Sequence, residues 1–153
     1  MRPTVHLSML LALASTPALA QAQSHSAPAI KFGPAPAIFP PGAQMAVLQG
    51  DPGSNKLFTV RLRMPAGYKI PAHTHPTDEH VTVISGTFLV GMGPKLEEKG
   101  MLTLGHGGFI TAPAGAAHYA MARGATEVQV SAMGPFSLTY VNPADTPRTS
   151  ASR

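Results

Sequence analysis

The chain has 153 residues, a formal charge of +4 from 11 basic and 7 acidic side chains, only 12% charged residues, and no cysteine. The lack of cysteine excludes disulfides, thiolate metal ligands, cysteine nucleophiles and blue-copper chemistry together. The basic residues are scattered and not interleaved with aromatics, so the small charge excess does not indicate a nucleic-acid partner.

At the N-terminus Arg2 precedes the apolar run Leu7–Ala14, and Ala18-Leu19-Ala20 follows before Gln21. This is the pattern of a secretory signal with an A-x-A cleavage site, and the apolar run is too short to span a bilayer comfortably. Residues 1–20 are therefore expected to be removed near Ala20. That leaves an exported protein, periplasmic in a bacterium or secreted, with no membrane association; an uncleaved anchor is the alternative. What remains suffices for one domain with one core.

Residues 21–43 hold five prolines and no helical period, and are expected to form a leader that becomes an extended arm. Ile38 and Phe39 are placed to dock on the domain or on a second subunit. From residue 44 to 142 short alternating runs separated by turn residues predict a single all-β domain. Met45–Leu48 is the first strand, and Gly50–Asn55 is a turn. Phe58, Val60, Leu62 and Met64 alternate with Thr59, Arg61 and Arg63, which gives the next strand one apolar face. Val81, Val83 and Phe88 flank Gly86, and Pro94–Gly100 is an exposed charged loop. Segments at 109–111, 118–121 and 128–130 continue the pattern, residues 136–141 close it, and 143–153 read as a tail. Eight or more short strands in this length fit a double-sheet jelly roll or small barrel.

Within this domain His73, His75 and Glu79 lie between Gly67 and Gly86, and His118 lies in a second glycine-bracketed segment. Side chains alternate along a strand, so His73 and His75 project to the same side and can grip one ion, with Thr74 pointing away. Imidazoles and a carboxylate suit a divalent transition metal, whether Mn, Fe, Ni, Zn or Cu. Glu79 shares the strand parity of Val81 and Val83, so an inward Glu79 comes with an apolar lining.

The spacing Gly67, five residues, His73-x-His75, three residues, Glu79, six residues, Gly86 resembles the first cupin motif. Gly107, five residues, Pro113-x-Gly115, two residues, His118 resembles the second. The resemblance, covering about residues 60–142, implies a cupin double-stranded β-helix, a jelly-roll barrel with a metal in its lumen. It carries over His73, His75, Glu79 and His118 as the ligands, and the cofactor as a divalent transition metal. The second motif usually ends in Asn four residues after its histidine, where this chain has Ala122. Similar cupins include dioxygenases, decarboxylases, isomerases and lyases, and no acid–base residue here selects among them.

Three neutral histidines and one carboxylate would leave a divalent ion with a formal site charge of +1, attracting anionic oxygen ligands such as an enediolate, carboxylate or catecholate. The expected function is a metal-dependent enzyme acting on a small oxygen-rich substrate. The alternatives are a non-catalytic periplasmic module that binds or senses a metal or small ligand, and a closed structural zinc site. Expected partners are a small molecule and a second copy of the chain in a homodimer. His80 is expected to face out or support Glu79, His106 to lie exposed in a loop, and Tyr119 to serve packing. Arg61 and Arg63 are expected on the solvent face, unless one reaches the barrel mouth to orient a carboxylate.

Overall fold

The structure is a computed structural model that describes residues 22–147; the secretory signal expected at 1–20 and the end of the expected tail lie outside them. Eleven strands follow in chain order: β1 (Gly33–Pro34), β2 (Gln44–Gln49), β3 (Leu57–Met64), β4 (Lys69–Thr74), β5 (Glu79–Ser85), β6 (Phe88–Met92), β7 (Leu102–Leu104), β8 (Phe109–Ala112), β9 (His118–Ala122), β10 (Thr126–Met133) and β11 (Thr139–Tyr140). Helix is confined, among the described residues, to two single 3-10 turns, Ala27–Ala29 and Pro143–Asp145. The strands form two sheets in the orders β1-β2-β3-β10-β5-β8 and β11-β4-β9-β6-β7, antiparallel throughout. This is the jelly-roll architecture that the strand spacing and the motifs implied.

Period-2 alternation builds the core. Phe58, Val60, Leu62 and Met64 of β3 are buried, as are Val81 and Val83 of β5 and Val128, Val130 and Ala132 of β10. The second sheet answers with Ile70, Phe88, Val90, Ala120 and Ala122. Burying a large aliphatic or aromatic side chain contributes roughly 1.5–3 kcal/mol, so this two-sided apolar layer stabilises the barrel independently of any ion. On the outer face of the first sheet the guanidinium groups of Arg61 and Arg63 donate to the Glu127 carboxylate at 3.0 and 2.8 Å. Both arginines therefore face away from the lumen.

Two segments outside the regular strands bear on the site. Residues 136–141 do not form one strand, because the Phe136 amide donates to the Pro52 carbonyl at 2.8 Å and the pairing resumes only at β11. The expected arm is built into the barrel. Its β1 pairs with β2, and Ile38 and Phe39 pack against the chain's own core. The Tyr140 hydroxyl donates to the Ile38 carbonyl at 2.8 Å and the Tyr68 hydroxyl to that of Pro40, tying the segment down. Burial raises the pKa of both phenols, Tyr140 to about 12, and a neutral donor is what such a tether needs.

Candidate metal centre

The first strand of the motif does not alternate evenly. Across β4 and β9 the partners run Ile70↔Ala120 and then His73↔His118, three steps on one strand against two on the other. The extra residue is a bulge at Pro71–Ala72, where the proline has no amide to give to the ladder. An unbroken alternation from Ile70 would turn His73 out of the lumen. With the bulge, Ile70 and His73 both line it.

Glu79 opens β5 in the opposite sheet and has the inward parity of Val81 and Val83. The turn that returns the chain to His118 is latched to the first motif. The Gly115 amide donates to the His75 carbonyl and the Ala114 amide to Asp78 Oδ1, each at 2.8 Å. Gly67 and Gly86 have φ of +76° and +82°, left-handed turns that glycine adopts without steric cost. At Gly86 a Cβ would overlap the Ala125 carbonyl, so a side chain is excluded by space as well as by φ.

His73, His75 and His118 are each 3–4% exposed, and one ring nitrogen from each lies within 4.8 Å of the others. Every Nδ1 faces a backbone carbonyl: Pro71 at 2.7 Å, Ser137 at 2.7 Å and Ala116 at 3.0 Å. A carbonyl only accepts, so each Nδ1 carries the proton and, in the neutral ring, each Nε2 presents a lone pair. The Nε2 atoms of His75 and His118 are buried without a hydrogen-bond partner. Glu79 Oε1 lies 3.7 Å from the first and Oε2 3.4 Å from the second. Two orphaned buried lone pairs beside a carboxylate form a donor set that fits a divalent cation, with the backbone carbonyls holding the rings in orientation.

The electrostatics agree. Burial, with His118 adding to it, pulls His73 down to about 4. Burial also lowers His75, outweighing the attraction of Glu79. For His118 burial opposes the charge, but the adjacent Glu79 carboxylate prevails and its pKa rises. Burial works against ionised Glu79, yet the surrounding imidazoles hold its carboxyl below the usual range. The centre is thus an ionised carboxylate among imidazoles that mostly resist protonation.

The four residues named from the sequence therefore meet at one place: His73 and His118 from β4 and β9 of the second sheet, His75 from just past the end of β4, and Glu79 from β5 of the first. His80 lies outside, with Nδ1 3.0 Å from the Thr111 hydroxyl and its ring stacked on Phe109. His106 is exposed and bonds the Ile84 carbonyl at 2.7 Å. Tyr119 packs its ring over Gly91, its cross-strand partner, where any side chain would collide with it. Ala122, at the position of the usual Asn, is wholly buried and its backbone pairs with Gly67 and Tyr68.

Sequence reading missed Phe136, whose ring stacks on His75 at 4.2 Å, and the Ser137 carbonyl that orients the same imidazole. No local pattern marks either residue, because both come from the loop before β11. The lumen beyond these four side chains is a cavity of about 410 Å³ enclosed mainly by aliphatic and aromatic side chains.

Several solved structures share this fold. A provisionally assigned acetylacetone dioxygenase from Methylibium petroleiphilum is 23% identical with TM-score 0.65, over 88% of this chain and 91% of that one. The polyketide cyclase RemF from Streptomyces resistomycificus is 16% identical with TM-score 0.63, over 83% and 90%. An RmlC-like cupin from Shewanella frigidimarina is 14% identical with TM-score 0.58, over 74% and 91%. At these identities the likeness establishes the fold. No curated protein matches by sequence. The ChrR cupin-like domain model, however, matches residues 29–137, well over half the chain, and takes in β1 and the tethered segment as well as both motifs. The chain belongs to the ChrR cupin-like domain family of the cupin superfamily.

Proposed function

We propose that this cupin is a metal-dependent enzyme in which His73, His75, Glu79 and His118 hold one divalent transition metal that receives a small molecule through anionic oxygen. The observation carrying this reading is the pair of buried, unpartnered Nε2 atoms of His75 and His118 on either side of Glu79. Leaving buried acceptors unsatisfied costs about 1–3 kcal/mol each, a cost that a bound cation removes. When bound, the ion would supply Lewis acidity or, if redox-active, an electron-transfer centre. The protein's residues would orient the imidazoles, balance one of the ion's two charges with Glu79, and exclude water with the apolar lumen wall. The dioxygenase and cyclase names among the structural neighbours are compatible with such a centre and do not choose a reaction.

The test is elemental analysis of the purified protein followed by assay of catechols, β-diketones and hydroxy acids with and without chelator. Metal near one equivalent and chelator-sensitive turnover are expected. Turnover indifferent to complete metal removal would refute the enzyme reading. A metal-loaded protein that binds but converts nothing would instead favour the sensing module. The same proposal includes export, supported by Arg2, the Leu7–Ala14 run and Ala18-Leu19-Ala20. It also includes self-association as a homodimer, which light scattering tests. Ile38 and Phe39 are partly buried against the core of their own barrel.

A further inference from the structure

The lumen is chemically lopsided. Among the described residues that line it, the only polar side chains are the four proposed ligands and Ser137. Every remaining wall residue is aliphatic, aromatic, proline or methionine. Among the described residues no lysine, arginine, asparagine, glutamine, threonine or tyrosine side chain lines it. The two arginines with the best prospect of reaching it, Arg61 and Arg63, are engaged by Glu127 on the outside of the sheet. Tyr68 and Tyr140, nearest to the tethered segment, direct their hydroxyls to the carbonyls of Pro40 and Ile38.

We infer that the ligand of this site is a predominantly apolar molecule with a single chelating oxygen head, such as an enolised β-dicarbonyl or an ortho-hydroxy carbonyl, rather than a polyhydroxylated or multiply charged one. The inference rests on the metal reading above and narrows its substrate class. A head with one negative charge neutralises the formal +1 left by a divalent ion and one carboxylate. A second carboxylate or phosphate would find no cation in the lumen. Each hydroxyl of a sugar or aldonic acid would lose its water and meet only hydrocarbon, a penalty that repeats for every group. The volume of about 410 Å³ lies within the range of pockets that enclose small organic ligands. Ile70, Val81, Val90 and Ala120 supply wall from both sheets, and Ile38 and Phe39 close it from the tethered segment.

The probe is a series of hydroxamates, which share one bidentate O,O head and differ only in the body. Cobalt(II) is first titrated alone into the metal-free protein, following its visible absorption. Aceto-, butano-, hexano- and octanohydroxamate are then titrated into the cobalt protein, with gluconohydroxamate as the polyhydroxylated counterpart of the hexano compound. The dissociation constant is expected to fall about three- to fourfold per added methylene until the lumen is filled, the factor for burying one methylene. Gluconohydroxamate is expected to bind more weakly than hexanohydroxamate. The Ala120→Leu variant, which fills lumen space, should weaken octanohydroxamate more than acetohydroxamate while cobalt binding persists. Constants independent of chain length would overturn the inference and identify the space as unfilled core, and gluconohydroxamate binding as well as hexanohydroxamate would overturn it by showing that the wall accepts hydroxyls. Failure of cobalt itself to bind would overturn the metal reading, and this one with it. Cobalt binding with a flat alkyl series would overturn this one alone.

Discussion

His73 and His118 stand directly opposite each other across the β4–β9 ladder, with ring centroids 4.3 Å apart. Their convergence depends on the one-residue bulge at Pro71–Ala72, so a backbone irregularity sets the distance between the two motifs. Removing one of the pair leaves the other correctly placed. His118→Ala is expected to lower cobalt or zinc affinity by more than the 10- to 100-fold typical of losing an outer supporting contact. Isothermal titration of the metal-free variant, with circular dichroism to confirm the β fold, measures this.

The two sheets bury their inward apolar side chains without an ion, so chelation should not unfold the protein. Metal at about 100 times its dissociation constant is expected to raise unfolding free energy by about 2.7 kcal/mol, through mass action alone. Urea titration with and without chelator reads this difference. Loss of the folded baseline on chelation would indicate the structural-zinc alternative.

The pKa of His73 is pulled from about 6.5 to about 4. Its folded value is depressed, so between these two pH values the unfolded chain binds the extra proton. Metal-free stability from this group is fully present above about 6.5 and is lost as pH falls toward about 4, by on the order of 3 kcal/mol. Urea midpoints of the metal-free protein at pH 7 and pH 4.5 should show the fall, and His73→Gln should reduce it, leaving the part due to His75, whose pKa burial also lowers.

Tyr68 and Tyr140 hold the segment that closes the lumen through one hydroxyl each. Replacing both with Phe keeps the rings and removes the donors, for an expected loss of about 1 kcal/mol per bond. Limited proteolysis should then cut near residues 36–41 faster than in the native chain. Unchanged cleavage would show that apolar packing of Ile38 and Phe39 suffices.

Restoring the motif's usual asparagine should be harmful. Ala122 is 0% exposed, so Ala122→Asn buries a larger amide among Phe88, Tyr68 and their neighbours. Overpacking and an unsatisfied amide together predict a loss of about 2–4 kcal/mol, read from thermal or urea unfolding.

Much of this site could be read along the chain. Alternation in β3, β5 and β10 determined which side chains form the wall, and the glycine-bracketed spacings named His73, His75, Glu79 and His118 as partners. These are local properties: strand parity follows from backbone geometry, and a left-handed turn demands glycine where it occurs. Other features arise only when distant segments pack. Ser137 and Phe136 reach His75 from a loop 61 to 62 residues later in the chain, and Ile38 reaches the lumen through a bond to Tyr140. The bulge that aims His73 inward, the Glu127 pairing that removes Arg61 and Arg63 from the lumen, and the lumen's apolar character were likewise decided by tertiary structure. Each depends on which backbone or side-chain group arrives from across the barrel, and one-dimensional spacing does not encode that arrival.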